Sequence, residues 1–226
     1  MAKRMYFVPN PDGRPVYDEI FVEFEYFNGF ALSQKQKSIR SMHSAIAAKY
    51  PGARVLEVST KSWEPIGVKL SAFNLLYRDE SGKEYHLENI FQSSKAFEHG
   101  GPYRDLLGVP PKDAKRDERL RSSGALRFFE YDSRKWPLEP RSIFYDWIYL
   151  TALRQNTDLA EEILAYNAFT DIEFNHAKSF NCQARSAAIF VALMKSKRLD
   201  IIDTPDFLNV YAPQQMQTSL FDAEEE

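Results

Sequence analysis

The segment 87–98, closed by Gly100-Gly101-Pro102, constrains the fold of this chain more than any other. Leu87, Ile90, Phe91 and Ser94 recur at helical spacing, which predicts a helix with one buried face. The glycine pair and the proline behind it supply the stop. Glu88, Gln92 and Lys95 stand at i, i+4 and i+7. They share a second face, roughly a third of a turn from the first, so an acid, an amide and an amine meet at the edge of the buried surface. The trio is either a solvated Glu–Lys stripe or one side of a site. Along one helix, i and i+7 lie too far apart to pair directly.

Around this helix the patterning is mixed. Residues 20–27 alternate, with Val22, Phe24 and Tyr26 facing one way and Glu23 and Glu25 the other, which predicts a half-buried strand broken at Asn28-Gly29. Ser33 is the expected N-cap of a helix to Tyr50, stopped by Pro51-Gly52. A strand over 55–59 follows, then a hairpin of 73–77 and 84–87 around Ser81-Gly82. Mixed charges over 110–121 predict a solvated helix. Residues 126–131 read as a strand, Trp136-Pro137 as the start of a loop, and 142–154 as an amphipathic helix. Asp158 and Glu161 have capping-box spacing for a short helix to Tyr166. A strand over 170–174 and an apolar helix over 184–197 complete the pattern, which lapses after Arg198 into proline, glutamine and a run of acids. The expected fold is α+β, predominantly helical. A strand–helix extension over 1–69 packs on a core over 70–198, and 199–226 form a largely flexible tail.

Several function classes are excluded. Lys+Arg 29 against Asp+Glu 32 leaves a net charge of −3, so contact with nucleic acid needs a local basic patch. One such stretch exists: 26–56 hold no acid, but do hold Lys35, Lys37, Arg40, Lys49 and Arg54. Cys182 is the single cysteine, which excludes an internal disulfide or a Cys-based zinc site and fits a reducing cytosol. His43, His86, His99 and His176 are scattered without metal-ligand spacing and are expected at the surface or at caps. No apolar run approaches the length of a membrane span. GxGxxG, Walker A, HExxH and GxSxG motifs are absent. The expectation is a cytoplasmic protein with no metal or cofactor. Aromatics at 14% supply stacking surfaces. The run 67–74, with Ser71, Phe73 and Asn74, suits either a wall that accepts hydroxyls or phosphate or a plain loop. Gly100 and Gly101 could offer backbone N–H groups to an anion. Asp171 and Glu173 put two carboxylates on one side of the expected strand, either a solvent face or a pocket floor.

Leu70-Ser71-Ala72-Phe73, followed after the hairpin by the run Leu87-Glu88-Asn89-Ile90-Phe91-Gln92-Ser93-Ser94-Lys95, resembles the signature of the NADAR (YbiA-like) family, an "LSNF" run and then a helix reading "vEhyfQaxK". Trp136, Leu153-Arg154-Gln155-Asn156, Leu159, Leu164 and Asp171-Ile172-Glu173 are similar to its later blocks, in order. Asn181 and Arg185 resemble its final helix. Phe27-Asn28-Gly29-Phe30, leading into 33–39, and Gly100-Gly101-Pro102-Tyr103 resemble the NADAR antitoxins encoded beside DarT toxins. The family's "D-x-x-W-G" block is absent; Asn175-His176-Ala177-Lys178-Ser179 stands in its place.

The resemblance implies removal of ADP-ribose from guanine bases of DNA, reversing a DarT-type toxin. The bond hydrolysed is the N-glycosidic bond at the anomeric carbon of the distal ribose, and free ADP-ribose is the product. It implies that Glu88 stabilises charge or activates water. Lys95 either protonates the leaving group or forms a Schiff base with the ring-opened sugar, and Gln92 orients ribose hydroxyls. Ser71, Gly100, Gly101 and Arg185 are candidates for the diphosphate. Phe73, Phe91 and Trp136 are candidates for base stacking, with Asn74, Asp171 and Glu173 as further lining. Lys35, Lys37 and Arg40 are candidates for DNA phosphates. The alternatives are an N-glycosidase of a small ribosylamine phosphate, a non-enzymatic reader of ADP-ribose or DNA, and an antitoxin that binds its toxin. In the tail, Gln217, Leu220 and Phe221 of Gln217-Thr218-Ser219-Leu220-Phe221 resemble the short motif by which bacterial proteins dock on the DNA sliding clamp.

Overall fold

The computed structural model describes residues 1–176 and 179–211. The elements are β1 (Ala2–Pro9), β2 (Tyr17–Phe24), α1 (Leu32–Lys49), β3 (Val55–Glu57), α2 (Pro65–Lys69), β4 (Leu76–Arg78) and β5 (Glu84–His86). There follow α3 (Leu87–Ser93), β6 (Lys95–Phe97), α4 (Pro111–Arg116), α5 (Arg119–Ser122), β7 (Leu126–Tyr131) and β8 (Arg134–Trp136). Last come α6 (Ile143–Gln155), α7 (Thr157–Glu162), β9 (Ala168–Thr170) and α8 (Gln183–Lys195). Helices predominate over small sheets, so the fold is α+β.

The largest sheet has the order β2-β1-β9-β3. Three of its strands come from the N-terminal 69 residues, and β9 joins them to the rest, β1 antiparallel at Phe7↔Phe169 and β3 parallel at Leu56↔Phe169. On one face, Ile39, Met42 and Ile46 of α1 pack on Tyr6, Val22 and Phe24. On the other, Phe7, Leu56 and Phe169 meet α8, whose residues 184–193 are all buried. β1 escapes sequence reading for a physical reason. Its buried neighbours Tyr6 and Phe7 point to opposite faces, so a strand covered on both sides shows no alternation.

Four other expectations are corrected. The helix over 87–98 ends at Ser93, because the Ser93 and Ser94 hydroxyls both turn back to the Ile90 carbonyl, at 3.1 and 2.7 Å. Lys95 then opens β6, paired with Phe129 of β7, and Gly100-Gly101-Pro102 closes a turn behind a strand instead of a helix. Gly101 has φ +79°, and a Cβ there would lie 2.3 Å from the Lys95 carbonyl oxygen, so glycine is required. Ala31, not Ser33, is the N-cap of α1. The strand expected over 170–174 stops at Thr170, since Asp171 Oδ1 accepts the Glu173 N–H at 3.0 Å and turns the chain.

The fourth correction concerns 199–211, which are no loose tail. Two 3₁₀ turns, Leu199–Asp203 and Pro205–Val210, bury Ile202, Phe207 and Val210 in the main core. Val16 N–H donates to the Val210 carbonyl at 3.0 Å, and Arg198 to the Pro11 carbonyl at 2.7 Å. Gln217, Leu220 and Phe221 lie outside the described residues. Among the described residues, no helix is long and apolar enough to cross a membrane.

Candidate active site

The start of α3 is tied to the segment before the β4–β5 hairpin. Leu87 N–H donates to the Leu75 carbonyl and Glu88 N–H to the Ala72 carbonyl, both at 2.9 Å. This fixes Glu88 in the first turn, 4% exposed, at the side of a cavity of about 600 Å³. That volume is within the range of small-ligand sites.

The acid, amide and amine read from the sequence form a continuous chain. Gln92 Nε2 donates to Glu88 Oε1 at 2.7 Å, and Lys95 Nζ donates to Gln92 Oε1 at 2.8 Å. The carboxamide thereby spans the gap that Glu88 and Lys95 cannot close directly. Its orientation is set, since an ammonium only donates and a carboxylate only accepts. Lys95 owes its place to β6 and not to the helix, and the trio is buried or half-buried, not at a surface edge. Burial pushes the Lys95 amine down to about 8; Glu88 opposes this shift and Lys115 adds to it. Nζ also stands 4.7 Å over the Phe91 ring.

Lys115 of α4 completes this side. Its Nζ lies 3.6 Å from Glu88 Oε1 and 4.9 Å over the Phe73 ring. Asp171, Glu173, Gln183 and Tyr145 also line the cavity. Gln183 Oε1 accepts the Ala72 N–H at 2.8 Å, and the Gln183 side chain hydrogen-bonds Asp171. Arg141 stacks its guanidinium 4.2 Å from the centre of the Phe180 ring, and both border the cavity.

Of the residues picked from sequence, Glu88, Gln92, Lys95, Phe73, Phe91, Asp171 and Glu173 line one cavity. Lys35 reaches its border, with Nζ 3.1 Å from Glu173 Oε1 and from the Tyr26 hydroxyl. The others are placed elsewhere. Ser71 and Asn74 close their own loop on the Val68 carbonyl, at 2.8 and 2.9 Å. Gly100 and Gly101 face Tyr103 and the Lys95 backbone. Trp136 is buried against Phe144 and Trp147 beneath the Arg134 guanidinium. Arg185 is committed to Asp146, 3.3 Å away. Lys37 and Arg40 are exposed on α1, and Arg40 stands 5.8 Å over Trp63. His43, expected at the surface or a cap, instead bonds Thr170 Oγ1 at 2.8 Å, and burial pushes its imidazole down to about 4.

Sequence reading missed Lys115, Tyr145, Gln183 and Glu57. Lys115 sits in a stretch whose mixed charges read as solvated. Gln183 did carry a signal, a polar residue shortly before the long apolar stretch 187–194, with Arg185 and Ser186 as its polar neighbours. Among the described residues, no group of three His, Cys, Asp or Glu side chains is placed to hold a metal ion.

An acid–amide–amine chain that shares a cavity of this size with two further carboxyl groups defines a polar site suited to charged or hydroxyl-rich ligands. Residues 2–220 match the family of DarT1-associated NADAR antitoxins, and the chain belongs to that family. No curated protein matches it.

Proposed function

We propose that this antitoxin is a hydrolase that removes ADP-ribose from guanine bases of DNA, undoing the modification made by its DarT-type toxin partner. The observation that carries the reading is the Glu88–Gln92–Lys95 chain at the cavity wall. N-glycosidic cleavage builds positive charge on the ribose and needs a proton for the departing base. Glu88 answers the first need, by facing the charge or by taking a proton from the attacking water. Gln92 holds Glu88 in orientation and offers its amide to ribose hydroxyls. Lys95 supplies a cation at the phosphate-bearing substrate or, deprotonated, an amine for the ring-opened sugar aldehyde. Phe73 and Phe91 give the bases apolar faces to stack on. A reader of ADP-ribose would need none of the acid and amine at such close quarters.

The test is incubation with DNA carrying ADP-ribosylated guanine in the cytoplasmic pH range. Release of free ADP-ribose with recovery of the unmodified base supports the reading. Tight binding without release would leave a reader or a toxin-binding antitoxin in its place.

The exposed cations of α1 give a separate prediction. Lys37→Glu with Arg40→Glu should raise KM for modified DNA and flatten its salt dependence by about 0.7–0.9 in log–log slope per lost phosphate contact. Hydrolysis of the modified free nucleoside should stay within about 2-fold, the size of an unspecific surface effect. Lys35 is left out because its bond to Glu173 ties it to the cavity. Equal loss on both substrates would show that α1 does not hold DNA.

A further inference from the structure

Glu57, at the end of β3, is 1% exposed and accepts three hydrogen bonds. Ser59 Oγ and Ile172 N–H donate to Oε1 at 2.6 and 2.9 Å, and Thr170 Oγ1 donates to Oε2 at 2.7 Å. Two of those donors are the residues immediately before and after Asp171. Glu57 therefore brackets Asp171 from behind, while Asp171 itself borders the cavity, 9% exposed. Asp171 Oδ1 takes the Glu173 N–H, and the Gln183 side chain provides a second contact. Two neighbouring carboxyl groups with little access to water do not readily both ionise. Burial raises both carboxyl groups, and the three donors on Glu57 against two on Asp171 favour the charge on Glu57 and the proton on Asp171.

We propose that Asp171 is the acid of the glycosidic cleavage, a carboxyl group kept protonated by the carboxylate of Glu57 that brackets it. The catalytic half of this rests on the de-ADP-ribosylation reading; the protonation half does not. Glu88, Tyr145 and Asp171 line the same cavity, so the two carboxyl groups border one space. The C–N bond breaks with its electron pair passing to the base nitrogen, which takes the Asp171 proton. The oxygen of a water bonds to the anomeric carbon, and a proton of that water passes to Glu88. Exchange with solvent then removes a proton from Glu88 and returns one to Asp171. Glu57 touches no substrate in this scheme and is a positioning residue.

Burial, with the charge of Glu57 behind it, pushes the Asp171 carboxyl up to about 8. The other groups facing it are Glu173 in its own turn, which Lys35 pairs, Tyr145 and Tyr149 from α6, and Cys182 before α8. Burial raises both tyrosines and the thiol well above their ordinary ranges, so they stay neutral. His43, behind Thr170, is neutral above about 4.

The experiment is carboxyl-carbon NMR titration of Asp171 in the free, full-length protein, paired with turnover on modified DNA. Asp171 should titrate far above the ordinary aspartate value of about 3.9. In Glu57→Gln its proton-binding constant should fall at least 10-fold, and in Ser59→Ala, which removes one donor from Glu57, it should fall in the same direction. Asp171→Asn should bind ADP-ribose within about 3-fold of wild type yet lose at least 100-fold in turnover, the size of a general-acid contribution. An ordinary titration of Asp171 in the wild type overturns the proposal whether or not the protein cleaves modified DNA. A raised titration with turnover retained in Asp171→Asn overturns the acid role. Absence of cleavage by the wild type would instead count against the functional reading, with the titration still reporting on Glu57.

Discussion

Glu88→Gln is expected to lower the rate of ADP-ribose release by about 10³-fold while leaving the fold intact, because it removes a charge that the transition state needs and little else. Glutamine keeps the shape of a side chain that is 4% exposed, and its carbonyl can still accept the Gln92 amide. Alanine would leave that amide and Lys115 without their partner and would confound activity with packing. Release from modified DNA, measured with a thermal melt of the same preparation, checks the result. Turnover within 10-fold of wild type at an unchanged melting temperature would remove Glu88 from the chemistry.

Lys95→Ala should be as damaging, and pH separates its two roles. An amine pushed down to about 8 is roughly 10% free base at pH 7, against well under 1% for an ordinary lysine. If the free amine attacks the sugar aldehyde, turnover rises with pH until about 8, and borohydride traps an adduct on the wild type but not on Lys95→Ala. If the ammonium is what matters, turnover falls as pH rises through the same range and nothing is trapped. A protonated Asp171 also disappears above about 8, so the amine route with an Asp171 acid gives a maximum near that pH.

The trio was legible because Glu88, Gln92 and Lys95 are close in sequence, and proximity survived an error in secondary structure. Lys95 begins a strand, but two residues past the helix its ammonium still reaches Gln92. The family resemblance supplied what spacing could not, that these three belong to a site. Glu57 was illegible because nothing in a three-residue strand says that its last side chain turns inward to meet a serine, a threonine and a backbone N–H. The segment 199–211 was illegible because each 3₁₀ turn contributes only one or two buried side chains, too few to make a period. Charge patterning was right that Lys115 is exposed, but it carried no sign that the same ammonium also reaches a carboxylate and a phenyl ring.

The largest stability effect should come from Asp146, which sequence reading left unmarked on α6. It is 0% exposed, and it accepts Ser186 Oγ at 2.5 Å, Tyr211 Oη at 2.8 Å and Arg185 Nη2 at 3.3 Å. These bonds join α6 to α8 and to the last described residue, so one carboxylate fastens the chain's C-terminal turns to its core. Asp146→Ala leaves the Arg185 guanidinium buried without its counter-ion, a loss of about 3–5 kcal/mol. For a protein of this size that is on the order of 10 °C in Tm, with a lower denaturant midpoint at unchanged slope. Adding Arg185→Met should recover part of the loss, because the stranded charge is then gone. A single variant within 1 kcal/mol of wild type, on the scale of an ordinary surface change, would show that the pair is not isolated from water. The same variant tests where the diphosphate sits. Arg185 lies outside the cavity, so Asp146→Ala, assayed well below its melting temperature, should keep KM for modified DNA within about 2-fold. A large rise in KM would instead bring Arg185 back as a phosphate ligand whose orientation Asp146 maintains.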